Sequence, residues 1–143
     1  MIYVTHGNIF ESSAQVIVNP VNCVGVMGAG LAKQFKERYP NSFQKYQIAC
    51  RAALLEPGKL MIYRENGKRI LMFPTKVHWK DPSQLVYIEQ GLTKLASEYQ
   101  VRGIHSIAIP RIGCGLGGLD WDEVKPMIVA YLSKCSMDVY IYE

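Results

Sequence analysis

The stretch that most constrains this chain runs from Gln15 to Lys33, QVIVNPVNCVGVMGAGLAK. It opens on Val16-Ile17-Val18, a short β-branched run that reads as a buried strand. Asn19-Pro20 reads as its stop. Asn22 and a small-residue loop, Gly25 to Gly30, follow. A helix then opens at about Gly28-Ala29-Gly30 and runs to Tyr39, with Leu31, Phe35 and Tyr39 on one face. Strand, glycine loop and helix N-terminus in that order suit an anion. Glycines let backbone N–H groups approach it, and the helix dipole favours negative charge. No Gly-Lys-Ser/Thr follows, so this is not a Walker loop, and the spacing is not the Rossmann one.

The same order recurs near the C-terminus. Ile104 to Ile109 is apolar along most of its length, as in a strand covered on both faces. Pro110 to Leu119 then carries Gly113, Gly115, Gly117 and Gly118, more glycine than a tight turn needs. Asp120 caps a helix from Trp121 to Ser133. Elsewhere, Ile2 to Thr5 is a short strand, and Pro40-Asn41-Ser42 starts a helix from Ser42 to Leu54. Lys59 to Arg64 and Lys68 to Phe73 are strands around Glu65-Asn66-Gly67, a hairpin signal. Pro82-Ser83 begins a helix to Gln100, and Met137 to Tyr142 is a closing strand.

Strands alternating with helices, plus one hairpin, predict an α/β fold: three α/β/α layers around a central mixed β-sheet. The 143 residues fit one domain, 1–143. Both glycine loops then lie at the carboxyl ends of strands, where open α/β sheets bind ligands. Two such loops facing each other would grip a diphosphate from both sides. The competing account, glycines serving only as turn formers, does not need four within six residues.

Charge excludes little: the net value of +4 tolerates a polyanion without requiring one, and no run of five basic residues appears. Cys23, Cys50, Cys114 and Cys135 form no Cys-x-x-Cys pair and no zinc spacing. They fit reduced thiols of a cytoplasmic protein. No segment is apolar and long enough for a bilayer, so no membrane role is expected. No metal or cofactor is implied.

Gly7-Asn8-Ile9-Phe10, Val16-Ile17-Val18-Asn19-x-x-Asn22, Met27-Gly28-Ala29-Gly30 and Ile112-Gly113-Cys114-Gly115-Leu116-Gly117-Gly118-Leu119-Asp120-Trp121 together resemble a macro domain. The resemblance covers essentially the whole chain. Met27 to Gly30 and Phe73-Pro74-Thr75-Lys76-x-His78-Trp79 make it most similar to the branch of terminal ADP-ribose glycohydrolases and DarT/DarG-type antitoxins. Phage macro proteins are similar too. The resemblance implies an ADP-ribose ligand. By position, Asn8 and Ile9 would face the adenine, Asn22 the distal ribose, and Gly28, Ala29 and Gly30 the diphosphate. Ile112, Gly113, Cys114, Gly115, Leu116 and Gly117 would complete the cradle. Tyr140 and Tyr142, two apart on the last strand, share a face; one would pack on the adenosine, or both serve ordinary packing.

The resemblance also makes Lys76 a candidate nucleophile at the anomeric carbon of the distal ribose; the other role open to it is charge stabilisation while water attacks. Amine attack needs a partly desolvated lysine. Glycohydrolases acting on protein esters carry an acid in the second loop, where this chain has Gly117. Lysine without that acid fits the antitoxin-like pattern, which implies release of ADP-ribose from thymidine in single-stranded DNA. A cognate ADP-ribosyltransferase toxin is then an expected partner. Two other readings stay open: a non-catalytic ADP-ribose-binding module, and a hydrolase of a soluble derivative such as ADP-ribose 1″-phosphate or an O-acyl ester. His78 and Trp79 flank the lysine and either guide a DNA base or pack on the next helix. Arg111 either meets a phosphate or sits free on the surface.

Overall fold

The computed structural model describes residues 1–143. Six strands form one sheet: β1 (Ile2–Thr5), β2 (Val16–Val21), β3 (Met61–Glu65), β4 (Lys68–Pro74), β5 (Ser106–Ile109) and β6 (Asp138–Tyr142). Their order is β1-β6-β5-β2-β4-β3, parallel throughout except for β3 against β4. Four helices cover it: α1 (Gly30–Arg38), α2 (Pro40–Arg51), α3 (Leu85–Glu98) and α4 (Trp121–Leu132).

Two apolar clusters make the layers. Val16, Val18, Leu71, Phe73, Val139 and Ile141 point to one face and pack with Ile88, Leu92 and Leu95 of α3 and Val124, Ile128 and Leu132 of α4. Ile17, Val21, Ile70 and Met72 point to the other, with Phe35 of α1 and Tyr46 of α2. Period-two alternation along strands buried on both sides produces this division. The expected three-layer mixed sheet is therefore present.

The hairpin stands where Asn66-Gly67 placed it. Both residues have positive φ, 51° and 75°, the geometry that asparagine and glycine adopt with least strain. Its base is tied to the opposite layer: Glu65, buried, accepts from the Ser42 N–H at 2.7 Å, the Ser42 hydroxyl at 2.8 Å and the Asn41 N–H at 3.3 Å. A carboxylate thus satisfies first-turn N–H groups of α2 from outside the helix. α2 begins at Pro40 rather than Ser42, because proline suits a first helical position and Ser42 lies inside the first turn. It ends at Arg51, short of Leu54.

Two further expectations are corrected. Asn19-Pro20 does not stop β2, which continues to Val21. The Val21 carbonyl accepts from Thr75 on the β4 side, so strand alternation turns Pro20 toward β5. Pairing with β5 covers only Val16 and Ile17, so the N–H that proline lacks has no ladder partner to lose. Pro82-Ser83 does not open α3, which starts at Leu85 after Gln84. Ser83 instead donates its N–H to the Gly117 carbonyl at 2.9 Å and its hydroxyl to Thr75 Oγ1 at 3.2 Å. Several starts move inward, α1 to Gly30, β3 to Met61, β5 to Ser106 and β6 to Asp138, while β3 and β4 each run one residue further, to Glu65 and Pro74.

Gly91 in α3 sits over the Phe73 ring, and a Cβ there would lie 2.2 Å from Phe73 Cζ. Glycine at this helical position lets the Phe73 ring of β4 pack directly against α3.

Candidate functional site

β5, β2 and β4 are adjacent and parallel, so their carboxyl ends lie side by side on one edge. From them leave three loops: residues 22–29 after β2, residues 75–84 after β4, and residues 110–120 after β5. Together they enclose a cleft of about 970 Å³, at the upper end for small-molecule sites. This is the crevice expected at the carboxyl edge of an α/β sheet.

The first wall is Asn22, Val26, Gly28, Ala29 and the start of α1, Gly30 to Ala32. One side chain shapes it. Asn22 Oδ1 accepts from the N–H groups of Val24 (3.1 Å) and Val26 (3.3 Å), and Nδ2 donates to the Val26 carbonyl at 2.7 Å. Tyr46, fully buried in α2, donates its hydroxyl to both Asn22 Oδ1 (2.7 Å) and the Asn22 carbonyl (2.8 Å). The amide has one hydrogen left for a ligand hydroxyl. Beyond this turn α1 begins with no capping side chain on Ala29. Its first-turn N–H groups, free by helix geometry, therefore face the cleft.

The second wall is Gly113 to Gly117 with Pro110 and Arg111. Gly113 and Gly115 have φ of 76° and 67°, and Gly115–Gly117 is a single 3₁₀ turn. Here the absence of side chains is structural. A Cβ on Gly117 would lie 2.4 Å from Ser83 Oγ, and one on Gly113 would lie 2.7 Å from Leu119 Cδ1. Leu116 reaches toward the first wall, with Cδ1 3.3 Å from where a Gly30 Cβ would stand. The two glycine loops do face each other.

The third wall is Thr75, Lys76, Trp79 and Ser83. Lys76 is half-buried, and its ammonium makes no hydrogen bond or ion pair within the protein. Its backbone carbonyl lies 3.5 Å from Cys23 Sγ, and the neighbouring Val77 carbonyl accepts from the Cys23 N–H at 2.8 Å. The lysine segment is thus stitched to the Asn22 loop. Lys76 and Arg111 are the only charged residues lining the cleft, so its field is positive and suits an anion.

The thiols are poor nucleophiles here. Burial pushes the Cys23 thiol up to about 12, with Cys50 and Glu56 adding to it. Burial also raises Cys114, against the lowering pull of the Arg111 guanidinium. Cys114 lines the cleft as a half-buried filler. Asp120 caps α4, accepting from the Asp122 N–H at 2.9 Å, and does not line the cleft.

The sequence-predicted residues Asn22, Gly28, Ala29, Gly30, Lys76, Gly113, Cys114, Gly115, Leu116 and Gly117 come together in this cleft. Five do not line it. Ile112 is fully buried in the α3–α4 core, because its side chain continues the apolar face of β5. Ile9 is buried and packs in the other core. Asn8 Oδ1 accepts from the Phe10 N–H at 3.0 Å and caps a 3₁₀ turn. Tyr140 and Tyr142 do share a face, the one packed toward α1 and α2. Tyr140 stacks on Tyr3 with ring centroids 5.1 Å apart. Sequence reasoning missed the roles of Tyr46, Thr75 and Ser83: Thr75 entered only as part of the Phe73-to-Trp79 motif, Ser83 only as a helix start, and Tyr46 carried no signal.

A family model described as "Macro domain" matches residues 18–128. A DNA ADP-ribosyl glycohydrolase of Mycobacterium tuberculosis is 41% identical over 147 residues, spanning 99% of this chain and 42% of that protein. The solved macrodomain of Mycobacterium tuberculosis DarG is 40% identical, with a TM-score of 0.96 over 99% of this chain and 97% of that one. Thermosipho africanus DarTG, solved in complex with ADP-ribose, is 39% identical with a TM-score of 0.94, covering 99% of this chain and 41% of that one. The chain spans about two fifths of the length of the curated relatives that it matches at 39–41% identity.

Proposed function

The chain belongs to the macro domain family, and from that premise we propose that residues 1–143 form one macro domain that releases ADP-ribose from thymidine in single-stranded DNA. The observation that carries the reading is Lys76: an unpaired ammonium in the wall of a cleft whose other two walls are an uncapped helix start and a glycine loop.

The diphosphate lies between the walls, against the first-turn N–H groups of α1 and the backbone of Gly113 to Gly117. The remaining Asn22 amide hydrogen meets a hydroxyl of the distal ribose. Adenine extends beyond the cleft toward Asn8, Ile9 and Tyr142, which stand at the same carboxyl edge of the sheet. This orientation leaves the anomeric carbon at Lys76. The amine, having lost a proton to solvent, attacks there; the bond to thymine breaks with its electron pair leaving on the base, which takes up a proton, and water then displaces the amine, releasing ADP-ribose and regenerating the lysine. No carboxylate lines the cleft, so the chemistry rests on the lysine and on electrostatic stabilisation from the walls.

The relatives named DNA ADP-ribosyl glycohydrolase support the substrate class, and the Thermosipho africanus relative named as a transferase–glycohydrolase fusion supports a cognate ADP-ribosyltransferase as partner. The unpaired thiols suit a reducing cytoplasm. The decisive experiment is hydrolysis of single-stranded DNA bearing ADP-ribosylated thymidine, wild type beside Lys76→Ala. The variant should lose release while keeping ADP-ribose affinity within about threefold. Equal activity in the variant would remove the lysine from the mechanism. Binding without release by wild type would leave a binding module or a hydrolase of soluble derivatives.

A further inference from the structure

Trp79 is a large apolar residue at the mouth of the cleft that the chemistry above does not use. It lines the cleft, yet 49% of its surface is open to solvent. The family's ligand, with its diphosphate between the glycine loops, ends at Lys76. Whatever is joined to the anomeric carbon must leave past residue 79, three positions along the same wall.

The segment is built as a fixed shelf. Its start is tied to the first loop through the Val77 carbonyl, and Thr75 accepts from the Gln84 N–H at 3.3 Å at its far end. Between them, His78 Nδ1 accepts from the Lys80 N–H at 3.1 Å, and the His78 carbonyl accepts from the Asp81 N–H at 3.0 Å. The His78 ring stacks on Trp79 with centroids 5.5 Å apart at 29°, and the Lys80 ammonium sits 5.2 Å from the indole centroid. An exposed indole held in place before its partner arrives avoids most of the ordering cost of binding. Lys80 sits beside it, and Lys76 and Arg111 line the same cleft, against the one carboxylate of the segment, Asp81. A flat aromatic ring flanked by cations matches an unpaired base followed by its phosphates.

We propose that Trp79, braced by His78 and Lys80, is the stacking platform for a base of the single-stranded DNA beside the scissile linkage, and so selects DNA-linked over other ADP-ribose. The proposal rests on the hydrolase reading above. The base displaces the Lys80 ammonium from the indole face, since base stacking outweighs an exposed cation–π contact. The freed ammonium pairs with the neighbouring phosphate.

Two measurements test it separately from that reading. In the first, wild type, Trp79→Ala and Trp79→Phe are compared on ADP-ribosylated single-stranded DNA, on an ADP-ribosylated peptide and for free ADP-ribose affinity. Trp79→Ala should lower kcat/KM on the DNA about 10- to 100-fold, the range of one lost stacked base. ADP-ribose affinity should shift far less, and Trp79→Phe should recover most of the rate. Parallel loss of DNA turnover and ADP-ribose affinity, or equal loss on DNA and peptide, would overturn the platform. In the second, a short unmodified oligothymidylate is titrated while intrinsic fluorescence is followed. The chain has two tryptophans, and the quench seen in wild type but missing in Trp79→Ala belongs to Trp79. If wild type fails to release ADP-ribose from DNA, the hydrolase reading falls, and this titration alone decides: a Trp79-dependent quench retains the platform, and its absence ends it.

Discussion

The two glycine loops follow the same order, strand, loop and helix, and they face the same cleft, but they are held open by opposite means. Residues 22–29 are shaped by a side chain: Asn22 makes bonds to Val24 and Val26, and Tyr46 fixes Asn22 from below. Residues 113–118 are shaped by the lack of side chains: positive φ at Gly113, Gly115 and Gly118, and close contact of Gly113 and Gly117 with Leu119 and Ser83. The first loop is a polar hub that can be weakened one bond at a time. The second is a close-packed backbone in which a single Cβ forces a neighbour to move. Backbone donors for an anion can thus be pre-set either by a buried amide or by glycine alone.

The largest expected effect separates binding from folding in the second loop. A Cβ on Gly115 meets nothing within 4 Å, so Gly115→Glu fits in space and places a carboxylate among the diphosphate donors. ADP-ribose affinity should fall more than 100-fold by calorimetry. Stability should fall only about 1–2 kcal/mol, the strain of a side chain at positive φ. Unchanged affinity would exclude this loop as the anion site.

Two residues away the balance should reverse. Gly117→Ala puts its methyl 2.4 Å from Ser83 Oγ. Ser83 must move, although its hydroxyl is bonded to Thr75 and its N–H to Gly117 itself. Overpacking of this kind costs about 1–3 kcal/mol, and thermal unfolding should report it. A variant as stable as wild type would mean that the contact relaxes freely and that glycine here serves only the ligand.

The first loop should be softer. Tyr46→Phe removes one hydroxyl that serves two Asn22 acceptors. Asn22 Oδ1 keeps its bonds to Val24 and Val26, while the Asn22 carbonyl loses its hydroxyl donor, so the loss should be about 1–2 kcal/mol. ADP-ribose affinity should weaken a few-fold as the Asn22 turn loosens. A loss as large as that of Gly117→Ala would show that the hub is as brittle as the packed loop.

The same contrast explains what was legible in the sequence. Glycines at 113, 115 and 118 announce themselves, and so does Asn66-Gly67, because positive φ demands particular residues. The buried strands were legible from their β-branched runs. That Lys76 lines the cleft was hinted at by its place at the end of a strand, where active-site residues collect; the nucleophile role proposed for it came only from the family resemblance. Tyr46 and Ser83 were not legible at all, because each acts across layers, on a residue 24 or 34 positions away. Pro20 misled because its meaning depends on which neighbour strand it faces, which is a property of the sheet.

The smallest effect is the most informative about whether the cleft acts as one unit. The loops touch through Leu116, whose Cδ1 lies against Gly30 although 78% of the residue is exposed. They share no side-chain hydrogen bond. If each loop is held by its own means, Tyr46→Phe and Gly117→Ala should add in stability to within about 0.5 kcal/mol, as independent sites do. Leu116→Ala alone should barely change the melting temperature, since it removes little buried surface. Coupling above 1 kcal/mol in the double variant, abolished when Leu116→Ala is added, would instead make Leu116 a strut through which each loop sets the other.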